Sequence, residues 1–282
     1  MSGLEPLQDL FDTTGGEELP LPGALETLYG RLRVARHDER PHVIANFASS
    51  LDGVVSLGLP GKAGGGEISG FNPHDRMVMR VLRAAADAVV IGAGTLREAS
   101  PRHLWTADYI HPPLAAAYQE FRTALDEPEP PLNVVVTASG DIDLDRRLFR
   151  SGEAPSLLVT TAAGARRLCD RELPPSVRVE VAAETAPIQA RAVLDAVCRV
   201  RPRRLVLLEA GPRVMSVFFA ERLLDELFLT MAPQVAGRDG ELVRPGFVAG
   251  ANFAPEHPVW GTLVGLKRGG DQLFLRYAFS TG

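Results

Sequence analysis

The chain has 282 residues, enough for one α/β unit with insertions. Its apolar fraction of 45% supports a sizeable core. A net charge of −5 and a pI near 5.7 exclude a broad basic surface for nucleic acid, so an anionic cofactor must be held locally by backbone N–H groups and a few arginines.

The opening stretch MSGLEPLQDL has no basic segment followed by an apolar one, so no secretory leader is expected. No apolar run approaches the roughly 18 residues of a membrane helix, and the expectation is a cytoplasmic protein without membrane contact. Residues 1–22 are rich in Gly, Pro and acidic side chains and read as irregular. Residues 24–34 read as a short helix with Leu25, Leu28 and Leu32 on one face. The first 40 residues together read as an extension preceding a domain over 41–282.

HVIANFAS, residues 42–49, reads as a mostly buried strand running into the turn signal LDG. Asn46 and Ser49 are polar on an otherwise apolar strand. Either they face a ligand or they bond to a neighbouring strand. Asp52 reads as a turn-former before Gly53. The glycine loop at 58–66 reads as a mobile flap; its Pro60-Gly61-Lys62-Ala63 imitates a phosphate loop but lacks the hydroxyl after the lysine. Asn72 and Pro73 read as a helix cap and first residue, followed by the stripe Val78, Val81, Leu82 and Ala85. Asp75 then falls at about the third helical position.

Strands follow near 88–91, 133–137, 156–160, 177–181 and 204–208, with helical stretches at 162–169, 187–200 and 213–220. This alternation predicts a mostly parallel sheet with helices on both faces. The tail differs: strands at 227–231, 262–267 and 273–279, the last two joined through Arg268-Gly269-Gly270-Asp271, predict antiparallel strands at the C-terminal end. The proline-rich stretch 101–131 shows no strand and reads as an insertion or lid. Cys169 and Cys198, both in helical stretches, make neither a disulfide framework nor a four-cysteine zinc site, which suits a reducing compartment.

The segment AVVIGAGTLREASP, residues 88–101, runs from a strand into glycines. Tested as a dinucleotide fingerprint, Gly92 and Gly94 match but the third glycine is Arg97, and no strand ends where the ribose-binding acid belongs. The turn need not be of that type to hold phosphate. Gly94 and Thr95 open a helix, where free N–H groups and the positive dipole end favour anions. A similar strand-to-glycine turn occurs at Glu209-Ala210-Gly211-Pro212, and a third strand ends in Thr160-Thr161 before a helix. Three such strand ends in one sheet suit an extended nucleotide.

Four segments together, ANFASSLDG (45–53), ADAVVIGAGTLR (86–97), LLVTT (157–161) and LLEAGPRVMSVFFAERLLDELFLTMAPQVAG (207–237), resemble the reductase half of the bifunctional riboflavin-biosynthesis deaminase–reductases, in a stand-alone branch. The resemblance covers roughly residues 41–280. It implies a dihydrofolate-reductase-like fold, NADPH as cofactor, a homodimer and a small pyrimidine substrate. It implies that Gly92, Gly94 and Thr95 hold the pyrophosphate and that Thr160 and Thr161 lie near the adenosine end. Glu209, Gly211, Pro212, Arg213 and Val214 would line the cofactor, and Ser49 and Gly53 would border the nicotinamide and the substrate. Two departures stand out: Ala210 replaces a family glycine, and Ala99 and Ser100 replace acidic residues ahead of Pro101. The zinc deaminase motifs H-x-E and P-C-x-x-C are absent.

Hydride transfer to a C=N bond asks for proximity, a dry pocket and a polarised acceptor. Asp75 is the candidate carboxyl for polarising the substrate; its alternative role is to favour the helix dipole. Glu209 ends an apolar strand, where a carboxylate is costly unless bonded. It reads as a cofactor or substrate ligand, or as an acid tying down the N–H groups of its turn. Asn46, Ser49 and Asp75 are the candidate substrate contacts. Arg166 and Arg167, beyond Thr160-Thr161, are placed to meet a 2′-phosphate, whereas Arg203 and Arg204 read as solvated. The histidines show no metal spacing and no metal is expected. The expected activity is reduction of the ribosylaminopyrimidine phosphate of riboflavin biosynthesis. Reduction of dihydrofolate or another pterin, and NADP binding without turnover, stand as alternatives.

Overall fold

A computed structural model of the chain describes residues 3–109, 114–200 and 204–280. Its first elements are β1 (Gln8–Asp12), β2 (Glu17–Glu18), α1 (Gly23–Tyr29), β3 (Arg33–Val34), β4 (His42–Ser49), α2 (Gly65–Ser69), α3 (Pro73–Ala85), β5 (Ala88–Gly92), α4 (Ala93–Glu98) and α5 (Ala115–Ala124). There follow β6 (Leu132–Thr137), α6 (Arg147–Arg150), β7 (Ser156–Thr161), α7 (Ala162–Cys169), β8 (Val177–Ala183), α8 (Ala190–Val200) and β9 (Leu205–Leu208). The chain closes with α9 (Pro212–Ala220), β10 (Glu226–Met231), β11 (Gly261–Gly269) and β12 (Gln272–Phe279).

Strands β5, β7 and β9 are buried throughout, as expected of parallel strands covered on both faces. Among the described residues ten strands form one sheet in the order β1-β11-β12-β10-β4-β9-β5-β6-β7-β8. The run from β10 to β8 is parallel throughout, and β12, β11 and β1 extend it antiparallel. The expected fold class, a mixed and mostly parallel sheet with antiparallel C-terminal strands, is the one observed. Strand β9 inserts between β4 and β5, so the chain order reverses there. The carboxyl ends at such a reversal form the crevice where α/β sheets take ligands.

Apolar side chains cover both faces. One core gathers Ile44, Val81, Leu82, Val89, Leu207 and Phe121, the other Val43, Ala45, Val90, Val197, Leu208 and Phe218. Alternation along β4 therefore puts Asn46 and Ala48 on the same side as Ile44, the side that α3 covers.

Four expectations need correction. Residues 1–22 are not wholly irregular: Gln8–Asp12 pair antiparallel with β11 at the sheet edge. The helix expected over 24–34 stops at Tyr29, because Gly30 takes φ 85° and turns the chain, while Leu32 stays buried without helical structure. The first 40 residues also share the core of the sheet through Leu7, Leu25, Leu32 and Val34. Within the stretch read as a lid, α5 carries Tyr118 and Phe121 into that core beside α3, so this part is the buried crossover between β5 and β6. Pro112 and Pro113 of that stretch, and Arg203, lie outside the described residues. The apolar run at 218–231 is core: Phe218, Phe219, Leu223, Leu224, Leu227 and Leu229 are all buried.

Candidate functional site

The crevice begins with α3. Asn72 caps this helix as expected, its Oδ1 accepting from the N–H of His74 at 2.8 Å and of Asp75 at 3.3 Å, with Pro73 as first helical residue. The cap fixes Asp75 in the first turn, above the carboxyl ends of β4 and β10. There the Thr230 hydroxyl of β10 donates to Asp75 Oδ1 at 2.7 Å. Burial pushes the Asp75 carboxyl above its ordinary value of 3.8; hydroxyls of Thr230 and Ser69 oppose the rise, and the charge of Glu209 adds to it. Among the described residues Asp75 bonds hydroxyls and no cation, and burial outweighs those hydroxyls and the opposing charge of Arg76. Asn46, half-buried on the same side of β4, lines with Thr230, Val78 and Phe228 a small crevice whose other wall is β1, β11 and β12, through Phe11, Lys267 and Arg276. Thr230 is the link between two of the residues expected to meet substrate: it bonds Asp75 and lines the same crevice as Asn46, although Asp75 is not itself part of that lining.

Ser49, the third, ends β4 with its hydroxyl donating to Ser50 O at 3.0 Å, and it is buried. Gly53 is exposed at φ 80° in the turn that follows. Asp52 builds this turn as expected: its Oδ1 accepts from the Ser50 hydroxyl at 2.6 Å, and its carboxylate also takes the N–H of Ala236 at 3.0 Å and Gly237 at 2.8 Å. The Ser50 hydroxyl and those N–H groups hold Asp52 well below the usual carboxylate range. The turn is thereby latched to the loop after β10.

Glu209 follows β9 on the α3 side, and Arg83 from the last turn of α3 meets it in a two-pronged ion pair. Nε donates to Oε1 at 2.8 Å and Nη2 to Oε2 at 2.6 Å, with side-chain exposures of 2% and 10%. This corrects the expectation that Glu209 might bond the N–H groups of its own turn. Arg83 is the partner that sequence reasoning missed. It lies on the same helix as Asp75, and only the fold brings it to a residue so distant in the chain.

The two glycine turns touch. Gly92 ends β5 and Gly211 precedes α9, and these strands are neighbours. A Cβ on Gly211 would lie 3.6 Å from Thr95 Oγ1, and one on Gly92 would lie 3.3 Å from Val214 Cγ2. Gly94 is exposed with open space where a Cβ would project. Pro212 is the first residue of α9 and Arg213 beside it is exposed. Gly92, Gly94, Thr95, Gly211, Pro212, Arg213 and Val214 thus form one backbone-rich rim beside Glu209. Small residues and helix starts there suit a phosphate chain.

The β7 end does not fit its expected role in the same way. Thr160 is fully buried, its hydroxyl without a hydrogen-bond partner and aimed at Gly164 of α7. The Thr161 hydroxyl accepts from Gly164 N–H at 3.1 Å and donates to Ala138 O at 2.7 Å, so it caps α7. The Thr161 hydroxyl is thus engaged within the protein, and that of Thr160 is buried. Arg166 and Arg167 are exposed on that helix.

A second polar cluster lies at the other ends of β4 and β10. Arg40 donates to both Asp225 oxygens at 2.6 and 2.7 Å, Val43 N–H adds 2.7 Å and His37 Nε2 lies at 2.8 Å. His42 faces Glu226 at 3.3 Å, and Arg276 also pairs with Glu226. His37, His42 and Asp225 are close enough together to hold a cation, but the Arg40 guanidinium already occupies both Asp225 oxygens.

Residues 41–253 match the family model described as the RibD C-terminal domain. The chain is 27% identical over 209 residues to the 2,5-diamino-6-ribosylamino-4(3H)-pyrimidinone 5′-phosphate reductase of Archaeoglobus fulgidus, a match covering 73% of this chain and 87% of the relative. Among solved structures it is similar to a pyrimidine reductase-like protein of Corynebacterium diphtheriae, with TM-score 0.66, 22% identity, and coverage of 86% of this chain and 93% of that one. It is also similar to the deaminase/5-amino-6-(5-phosphoribosylamino)uracil reductase of Thermotoga maritima, with TM-score 0.60 and 20% identity, where it spans 86% of its own length and 57% of that longer chain. The match covers most of the chain, including both glycine turns and the Asp75 helix, and the chain belongs to the RibD C-terminal domain family.

Proposed function

We propose that this chain is an NADPH-dependent reductase of a ribosylaminopyrimidine phosphate in riboflavin biosynthesis, working in the cytoplasm as a homodimer. The observation that carries the reading is the Asp75–Thr230 pair, a buried carboxyl without a bonded cation, set on the α3 side of the sheet above the ends of β4 and β10. Family membership and the reductase names of the relatives support the activity. Exposed Val235, Val243 and Trp260 in the loop between β10 and β11 are apolar surface that a second copy would cover. No helix among the described residues is long and apolar enough to cross a membrane.

The rim fits a nicotinamide dinucleotide: Gly92, Gly94, Thr95, Gly211, Pro212 and Val214 would hold its pyrophosphate, and exposed Arg166 and Arg167 its 2′-phosphate. When bound, it supplies a hydride to the C=N carbon of the opened ribosylamine, turning ribose into ribitol. The residues of this chain do the rest. Asn46 and Asp75 hold the pyrimidine. Asp75, its carboxyl raised by burial, hydrogen-bonds the imine nitrogen and supplies the proton which that nitrogen takes as the carbon is reduced. Glu209, fixed by Arg83, borders both ligands.

The test is NADPH oxidation by the purified chain with the diaminopyrimidinone phosphate, the aminouracil phosphate and dihydrofolate in parallel. Turnover of either pyrimidine supports the reading. Turnover of dihydrofolate alone, or of none, overturns it.

A further inference from the structure

Of the buried ion pairs, Arg83–Glu209 joins α3 to the start of the Gly211 turn. Arg83 sits in the last turn of α3, the helix whose first turn presents Asp75. Glu209 opens the turn that carries Gly211 and Pro212, and its own N–H donates to Val90 O of β5 at 3.0 Å. The remaining Arg83 nitrogen points toward Leu104 O and Thr106 O, each at 3.5 Å, in the segment leading away from α4. One guanidinium thus ties the start of the Gly211 turn and the segment beyond α4 to the helix that holds the Asp75 carboxyl. The plane of the guanidinium and its two parallel bonds fix the carboxylate in orientation as well as position, which a lysine cannot do.

We propose that Arg83 is a positioning residue of the reductase site: it fixes the Glu209 carboxylate at the start of the Gly211 turn and offsets part of the charge that Glu209 presents to Asp75. The assignment rests on the reductase reading above. The groups facing Asp75 are Thr230 from β10, Ser69 from α2, Glu209 from the β9 turn and Arg76 from its own helix. Among them Glu209 is the one whose charge raises the carboxyl, so releasing it from Arg83 strengthens that effect.

The experiment compares the pH dependence of kcat/KM for NADPH oxidation in wild type, Arg83→Gln, Arg83→Lys and the double variant Arg83→Gln/Glu209→Gln, with NADPH affinity measured separately by fluorescence titration. Arg83→Gln is expected to lower kcat/KM by about 10–100-fold, as for other residues that orient a ligand contact. Its Asp75-dependent limb should move to higher pH. The double variant should return that limb to the wild-type position without restoring the rate. Arg83→Lys keeps the charge without the fork; it should leave the limb in place, lose rate, and serve where Arg83→Gln fails to fold. A limb in Arg83→Gln that overlays wild type overturns the assignment, and so does Arg83→Lys with the wild-type rate. A wild-type chain that turns over no pyrimidine overturns the reductase reading instead, and the two failures are told apart by the wild-type assay alone.

Discussion

The two ends of strands β4 and β10 bury polar groups in opposite ways. At the amino ends, Asp225 and Glu226 are met by the guanidinium groups of Arg40 and Arg276. Burial by itself would raise both carboxyls, but the arginines, the Val43 N–H and His42 outweigh it and hold them below their ordinary range. At the carboxyl ends of the same strands, Asp75 has hydroxyls and no bonded cation, and burial prevails. The contrast separates two uses of a buried acid. Matched by a cation, it fastens β4, β10 and β12 together. Left with neutral donors, it has a carboxyl raised by burial and works against stability as pH rises.

The sharpest way to break this comparison is Asp75→Asn. Removing a positioned acid should lower kcat/KM by about 10²–10⁴-fold. The same substitution should leave the thermal midpoint unchanged or raised. A carboxyl whose pKa is raised by folding contributes stability below its unfolded value of 3.8 and loses it as pH rises, so at neutral pH asparagine relieves a cost. Thermal unfolding near pH 7 beside steady-state kinetics checks both halves.

Asp225→Ala should do the reverse. It leaves Arg40 buried without its carboxylate, at a cost of about 3–5 kcal/mol in urea unfolding, while the folded fraction keeps its activity. Because folding lowers the Asp225 pKa, its contribution is complete above the unfolded value of 3.8 and is lost as pH falls through the folded value. The stability gap between wild type and variant should therefore narrow below about pH 4.

Thr230→Val sharpens the comparison by removing one neutral donor from Asp75. Loss of about 1 kcal/mol predicts roughly a fivefold fall in kcat/KM, and the Asp75 limb should move to higher pH because Thr230 opposes the burial effect. The smallest effect is expected at the exposed end of the rim. Arg166→Ala/Arg167→Ala should raise the KM for NADPH by no more than about fivefold, with NADH unaffected, since solvated charge pairs contribute little.

Local signals in the sequence carried much of this. Asn72-Pro73 set the start of α3 and hence the depth of Asp75, and uniformly apolar strands marked the parallel part of the sheet. The two glycine turns were visible one at a time, but their contact depends on β9 inserting beside β5, a long-range pairing without a local signature. The same holds for Arg83 with Glu209 and for Thr230 with Asp75. On one strand Thr230 is an ordinary β-branched residue, and on one helix Arg83 looks like a cation favouring the last turn. The cap made by Thr161 of β7 was hidden for a related reason. A hydroxyl at a strand end suits ligand or cap equally until the Ala138 carbonyl and Gly164 N–H are seen beside Thr161.

The most direct measurement is the pH profile of kcat/KM for NADPH-dependent reduction of the pyrimidine phosphates by wild type and Asp75→Asn. The account predicts a wild-type rate that falls as pH rises through a carboxyl value above 3.8, and a variant at least about a hundredfold slower with that limb gone. An Asp75→Asn chain that matches wild type at every pH contradicts it.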